Sequence, residues 1–152
     1  MEFRPGDDAW MELLQDARKS AFHLEVKDTY AVPEESEPLR RFLAGEPEDG
    51  YDDAGWLDMV RDLTARGIHM SRLRIVTFPH SDYQRWLLSI TERSVNAGED
   101  IRYLDRANVD PADVPHDDYW LFDDEIVGFN LVDSDGVPVG PGITSDPGIV
   151  DY

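Results

Sequence analysis

The chain has 152 residues and 33 acidic against 14 basic side chains, a formal charge of -19, with a hydrophobic share of 41%. That length suits one compact domain and excludes two independent catalytic domains, while the apolar share suffices for a buried core. No Cys is present, which excludes disulfides, thiolate metal sites, Cys nucleophiles and Fe–S clusters together. Trp10, Leu13, Leu14 and Ala17 have the spacing i, i+3, i+4, i+7, which predicts a helix of about three turns capped by Asp7 or Asp8. Phe22 to Val26 alternates apolar and polar with period two, a half-buried strand. Pro33 to Leu39 reads as a turn, Arg40 to Gly45 as a short helix, and Glu46 to Asp53 as a polar surface loop. Trp56, Leu57, Val60, Leu63 and Thr64 restore helical spacing, closed by Gly67 where a left-handed backbone is favoured.

Arg72 to Phe78 predicts a strand with Arg72 and Arg74 on one face, Leu73 and Ile75 on the other, stopped by Pro79. Ser81-Asp-Tyr-Gln84 matches a capping box, and Tyr83, Trp86, Leu87 and Ile90 continue it as an amphipathic helix ended by Gly98. With a short strand at Ile101 to Leu104, residues 68–104 read strand–helix–strand, long enough for a parallel crossover. Tyr119 to Asp123 and Ile126 to Val132 are strand-like, and Asp133-Ser-Asp-Gly136 is the best hairpin signal, with Val137 to Val139 pairing back. The tail from Gly140 to Tyr152 reads as irregular. The sum is a single α/β or α+β domain over residues 1–152, with a mixed sheet of about five strands and about three main helices.

The charge is unevenly spread. Residues 1–60 hold 16 acids and 6 bases, residues 61–106 hold 6 and 8, and residues 107–152 hold 11 acids with no Lys or Arg. A net charge of this sign repels nucleic-acid phosphates, so direct nucleic-acid binding is disfavoured. The acidic flanks point to a basic protein partner. Alternatively, Arg72, Arg74, Arg85 and Arg102 gather with the helix-start residues Ser81 and Tyr83 into an anion-binding concavity. A plainer outcome pairs the arginines with nearby acids. No apolar run approaches the roughly 20 residues of a membrane span, and the first residues lack the layout of a secretory signal, so a cytoplasmic protein is expected.

Catalytic signatures are missing. His23, His69, His80 and His116 form no zinc-binding pattern, and no nucleophile elbow, dinucleotide loop or phosphate loop occurs. The carboxylates Asp117, Asp118, Asp123, Asp124 and Glu125 could hold a hard cation, but strand alternation would send Asp123 and Asp124 to opposite faces. Asp133-Ser-Asp-Gly136 opens like a calcium loop yet has Thr144 where Glu is needed. No catalytic residue, metal or cofactor is assigned. Trp10, Trp56 and Trp86 fall on apolar helix faces, whereas Trp120 shares a strand face with Phe122 beside Asp123 and Asp124, as core or as a partner-binding patch.

The stretches Pro38-Leu-Arg-Arg-Phe-Leu-Ala-Gly-Glu46, Arg72-Leu-Arg-Ile-Val76, Ser81-Asp-Tyr-Gln-Arg-Trp86, Asn96-Ala-Gly-Glu-Asp-Ile-Arg102 and Asp118-Tyr-Trp-Leu-Phe-Asp-Asp124 resemble a family of uncharacterised actinobacterial proteins, a domain of unknown function. The likeness runs through about residues 8–150 in the same order. Such relatives are often encoded near helix-turn-helix regulators, which implies a regulatory or interaction role, and they usually continue further, which implies that Tyr152 is a natural shortening. The order strand, helix, strand, then a strand ending in Asp also resembles one half of the phospholipase D architecture, whose motif reads His-x-Lys-x-x-x-x-Asp. Here His116 and Asp123 keep the spacing while Asp118 replaces the Lys, a carboxylate that would repel phosphate. The leading expectation is a non-catalytic acidic regulatory module that binds a basic protein such as a helix-turn-helix regulator. The alternative is an enzyme or an anion- or nucleotide-binding domain of degenerate phospholipase D type. A homodimer is left open.

Overall fold

The computed structural model describes residues 1–46 and 53–151. In chain order the elements are β1 (Glu2–Phe3), α1 (Asp8–Asp16), β2 (Ser20–Glu25), α2 (Ser36–Leu43), α3 (Ala54–Ala65), β3 (His69–Val76), α4 (Asp82–Ala97), β4 (Asp100–Asp105), β5 (Tyr119–Phe122), β6 (Ile126–Val132), β7 (Pro138–Thr144) and α5 (Pro147–Val150), with short 3-10 turns between some of them. One mixed sheet runs β1-β7-β6-β5-β2-β3-β4. β2, β3 and β4 are parallel neighbours, so α4 is the crossover helix that the spacing of residues 68–104 calls for. β5, β6 and β7 form an antiparallel meander, and β5 joins it to the parallel half by pairing with β2.

Strand alternation sorts the side chains onto two unlike faces. Ala21, Met70, Trp120 and Phe122 meet Leu14, Met59, Val60 and Leu63 from α1 and α3 in the main core. Tyr83, Trp86, Leu87 and Ile90 of α4 form a second cluster against Tyr30, Leu39 and Phe42, which ties down α2. Trp86 is fully buried. Removing a ring of that size from water is worth about 4–6 kcal/mol as an upper bound. The opposite face carries Leu24 and Ile75 with Phe22, Leu73, Val114 and Tyr119, and no helix longer than α5 covers it among the described residues.

Several expectations need correction. Among the described residues the sheet has seven strands rather than about five, and five α-helices are present rather than about three. The supposedly irregular tail contributes β7 and α5. Gly140 explains the first, because at φ +125° it lies where a Cβ would sit 2.3 Å from the Arg4 carbonyl oxygen, and only Gly lets β1 pass so close. The strand expected to reach Asp123 stops at Phe122. Asp123 and Asp124 have φ of 55° and 56° and form the turn of a hairpin closed by the Glu125 N–H on the Phe122 carbonyl at 2.9 Å. β3 covers His69–Val76, ending before Phe78, and α2 starts earlier than Arg40. Asp7 caps α1 through its carbonyl and not its side chain. The capping box is half formed: Ser81 Oγ accepts the Gln84 N–H, but the buried Gln84 side chain donates instead to the Lys27 carbonyl at 3.2 Å. The expected surface loop lies largely outside the described residues.

Candidate functional site

Register alone assembles a charged group. Parallel pairing of β2 with β3 sets His23 beside Arg72 and Glu25 beside Arg74. The next ladder sets Tyr103 beside Arg74, and the antiparallel one sets Trp120 beside His23. All of these side chains point to the face under α3 and α4. Arg72 donates from Nε to Glu99 at 2.7 Å and from a terminal nitrogen to Glu25 at 2.6 Å. Its guanidinium also lies 5.4 Å from the Trp56 ring and 5.9 Å from the Trp120 ring, within cation–π range. Arg74, only 4% exposed, donates to Thr91 Oγ1 and the Tyr103 hydroxyl at 2.8 Å, with Nε 3.5 Å from Glu25. The His23 ring stacks on Trp120 at 4.2 Å.

This group is electrically closed. Burial alone would push the Glu25 carboxyl up, but Arg72 and Arg74 outweigh it and hold Glu25 at about 2. Burial, reinforced by the Arg72 cation, brings His23 down to about 3, so its imidazole is neutral. Burial would also lower Arg72, and the Glu99 and Glu25 carboxylates overturn that and hold it above the usual guanidinium range. Two cations thus face two carboxylates. The basic excess of the middle segment is in part neutralised inside the molecule.

The other residues singled out in the sequence do not join this group. Ser81 Oγ donates to the Asp28 carbonyl at 2.6 Å while capping α4. The Tyr83 hydroxyl donates to Glu35 at 2.6 Å, and Arg85 pairs with Asp82 on the exposed first turn of α4. Arg102 pairs with Leu73 in the ladder and so belongs to the opposite face, where its exposed side chain lies 3.3 Å from Asp100. Trp120 is core. The Asp123 carboxylate accepts backbone N–H groups from Arg18, Lys19 and Ser20 at 2.7–3.1 Å, pinning the α1–β2 junction. Burial works against that charge, and the three amides overcome it and hold Asp123 below the usual carboxylate range. Of the three expected partner-binding residues, Asp124 alone is exposed.

His116 sits exposed ahead of β5 and Asp123 follows it, at opposite ends of the strand. Asp118, between them, is buried and accepts the Val26 N–H at 2.8 Å; burial pushes its carboxyl up despite the Tyr30 hydroxyl and that amide. Glu25, Thr91, Glu99 and Tyr103 complete the group, and no local motif marks Thr91, Glu99 or Tyr103. Glu25 had one faint signal, its place two residues after His23 in an alternating strand.

Charge and fold align. Residues 61–106 supply β3, α4 and β4, while residues 107–152, without a single Lys or Arg, supply β5, β6, β7 and α5. Asp124, Glu125, Asp133, Asp135 and Asp146 are exposed in that second half. Among the described residues no three His, Asp or Glu side chains stand together to hold a metal ion, and no helix is long and apolar enough to cross a membrane.

The chain is similar to the solved structure of TrmBL2, an archaeal chromatin protein described with a novel mode of DNA binding, at 16% identity and a TM-score of 0.47. That match covers 92% of this chain and 42% of the other, so this chain spans less than half the length of TrmBL2. No curated protein matches it. Residues 8–152 match the domain of unknown function DUF6879, and the chain belongs to that family.

Proposed function

We propose that this protein is a non-catalytic acidic interaction module that binds a basic protein partner, such as a helix-turn-helix regulator, in the cytoplasm. The observation that carries the reading is the lopsided charge of the sheet. Arg72 and Arg74 face Glu25 and Glu99 inside, and the meander half presents acids with no base of its own segment to neutralise them. Such a surface steers Lys- and Arg-rich partners and repels phosphate chains. The same geometry favours it over a degenerate phospholipase D domain, since Asp118 is a buried carboxylate holding the end of β2.

The test is to mix the purified chain with a basic helix-turn-helix regulator and to measure complex formation by titration calorimetry at low salt. A complex that weakens as salt rises supports the reading, because exposed charges are screened beyond about 8 Å at physiological ionic strength. Absence of a complex at low salt contradicts it. A rise in melting temperature with phosphate or nucleotide would favour the ligand-binding alternative.

A further inference from the structure

β4 is the outer strand of the parallel half, and among the described residues its one ladder is with β3. An edge of this kind offers a row of unpaired N–H and C=O groups, and proteins usually blunt it with Pro, Lys or a bulge. Asp100-Ile-Arg-Tyr-Leu-Asp105 has no Pro and no Lys, and its ladder with β3 runs without a register shift. Beside it α4 exposes two apolar side chains, Leu88 and Val95, with Thr91 and the exposed Glu92 between them. Thr91 of α4 is 3.4 Å from the Tyr103 hydroxyl of β4, and Leu88 and Val95 share its helix face by their i, i+3, i+7 spacing. Both are exposed, at 40% and 46%. The edge also belongs to the segment without acidic excess, so a second molecule can approach here without the repulsion that guards the meander half.

We infer that this edge is the interface with a second copy of the chain, β4 pairing antiparallel with β4 around a two-fold axis at Ile101. Register selects the centre. Residues directly opposite in an antiparallel pair share a face, so the axis falls on a residue. Centring on Arg102 sets that cation against itself, and centring on Tyr103 sets Arg102 against Leu104. Centring on Ile101 sets Asp100 against Arg102 of the second copy, twice by symmetry, with the two Ile101 side chains meeting at the axis. The α4 helices then approach each other over the joint and cover Leu88 and Val95. The acidic meander halves point outward at the two far ends of one continuous sheet.

Sedimentation velocity on the full chain tests this, with Asp100→Arg and Arg102→Asp as separate variants. The wild-type chain sediments as a dimer, and each variant raises the dissociation constant roughly tenfold or more, because both symmetry-related pairs turn repulsive. Mixing the two variants in equal amounts restores the dimer, since every cross-strand pair is then unlike. Val95→Asp weakens the dimer through this helix face while leaving the circular dichroism spectrum unchanged. A wild-type chain that is monomeric at every concentration, variants that dimerise as well as wild type, or a mixture that stays monomeric would each overturn the assignment.

Discussion

Replacing Arg72 with Met keeps the bulk of the side chain and removes the charge that closes the buried group. Glu25 retains Arg74 at 3.5 Å, but Glu99, with its side chain 1% exposed, loses its 2.7 Å partner and already has one oxygen without a hydrogen bond. Leaving a buried charge unpaired costs about 3–5 kcal/mol, and the lost contact with Trp56 and Trp120 adds about 0.5–2 kcal/mol. A domain of this size loses about 2–4 °C of melting temperature per kcal/mol, so Arg72→Met is expected to melt roughly 10–20 °C lower. Urea unfolding followed by Trp fluorescence reads the change directly, since two tryptophans flank the guanidinium. Arg72→Met/Glu99→Gln regains part of the loss, because no carboxylate is then stranded. A cost below about 1 kcal/mol for Arg72→Met, or a double variant as unstable as the single one, would refute the closed network.

Three further outcomes follow from the same geometry. His23 is held at about 3 against an ordinary value of 6.5, so the unfolded chain binds a proton that the folded one refuses, and stability falls as pH drops from 6.5 towards 3. Glu25 adds to this below about pH 4.5, whereas Glu35 and Asp118, raised by burial, act in the opposite sense, so the readout is the difference between wild type and His23→Gln. The variant's urea midpoint should change less between pH 7 and pH 5, and an unchanged slope would count against a neutral buried imidazole. Asp123→Ala strands three backbone amides and is expected to cost about 1–3 kcal/mol by urea denaturation, with Asp123→Asn milder because Asn accepts a hydrogen bond and tolerates the left-handed backbone. Gly140→Ala sets a Cβ against the Arg4 carbonyl at a positive φ, so hydrogen exchange of the Arg4 amide should speed up as β1 comes away from β7; unaltered exchange would show that β1 is not held there.

The crossover unit was legible because α4 keeps helical spacing from Tyr83 to Ile90, and the hairpin at Asp133 because its turn residues are specific. β7 was not, since Pro138, Gly140, Pro141 and Gly142 read locally as breaks, while the reason for a small residue at Gly140 lies 136 positions earlier, at Arg4 just after β1. The turn at Asp123 and Asp124 was missed because two Asp residues signal a left-handed turn more weakly than Asn-Gly does. In the site, alternation correctly put Arg72 and Arg74 on one face. Their carboxylate partners stand 47 and 27 positions from Arg72, at Glu25 and Glu99, and only knowledge of which strands are neighbours brings them together. Arg102 was grouped with them by sequence proximity, and the pleat sends it to the other side.

The proposed role turns most directly on whether the chain binds a basic helix-turn-helix regulator, measured by titration calorimetry across a salt series for wild type and for Glu125→Lys/Asp135→Lys. Both side chains are exposed on the acidic half and neither makes a side-chain hydrogen bond in the hairpin turns, so folding should be untouched. Binding is expected to be tight at low salt and to fall steeply as salt rises, with the variant weaker by roughly tenfold or more. Binding that ignores both salt and the reversed charges, or no binding at low salt, would contradict it.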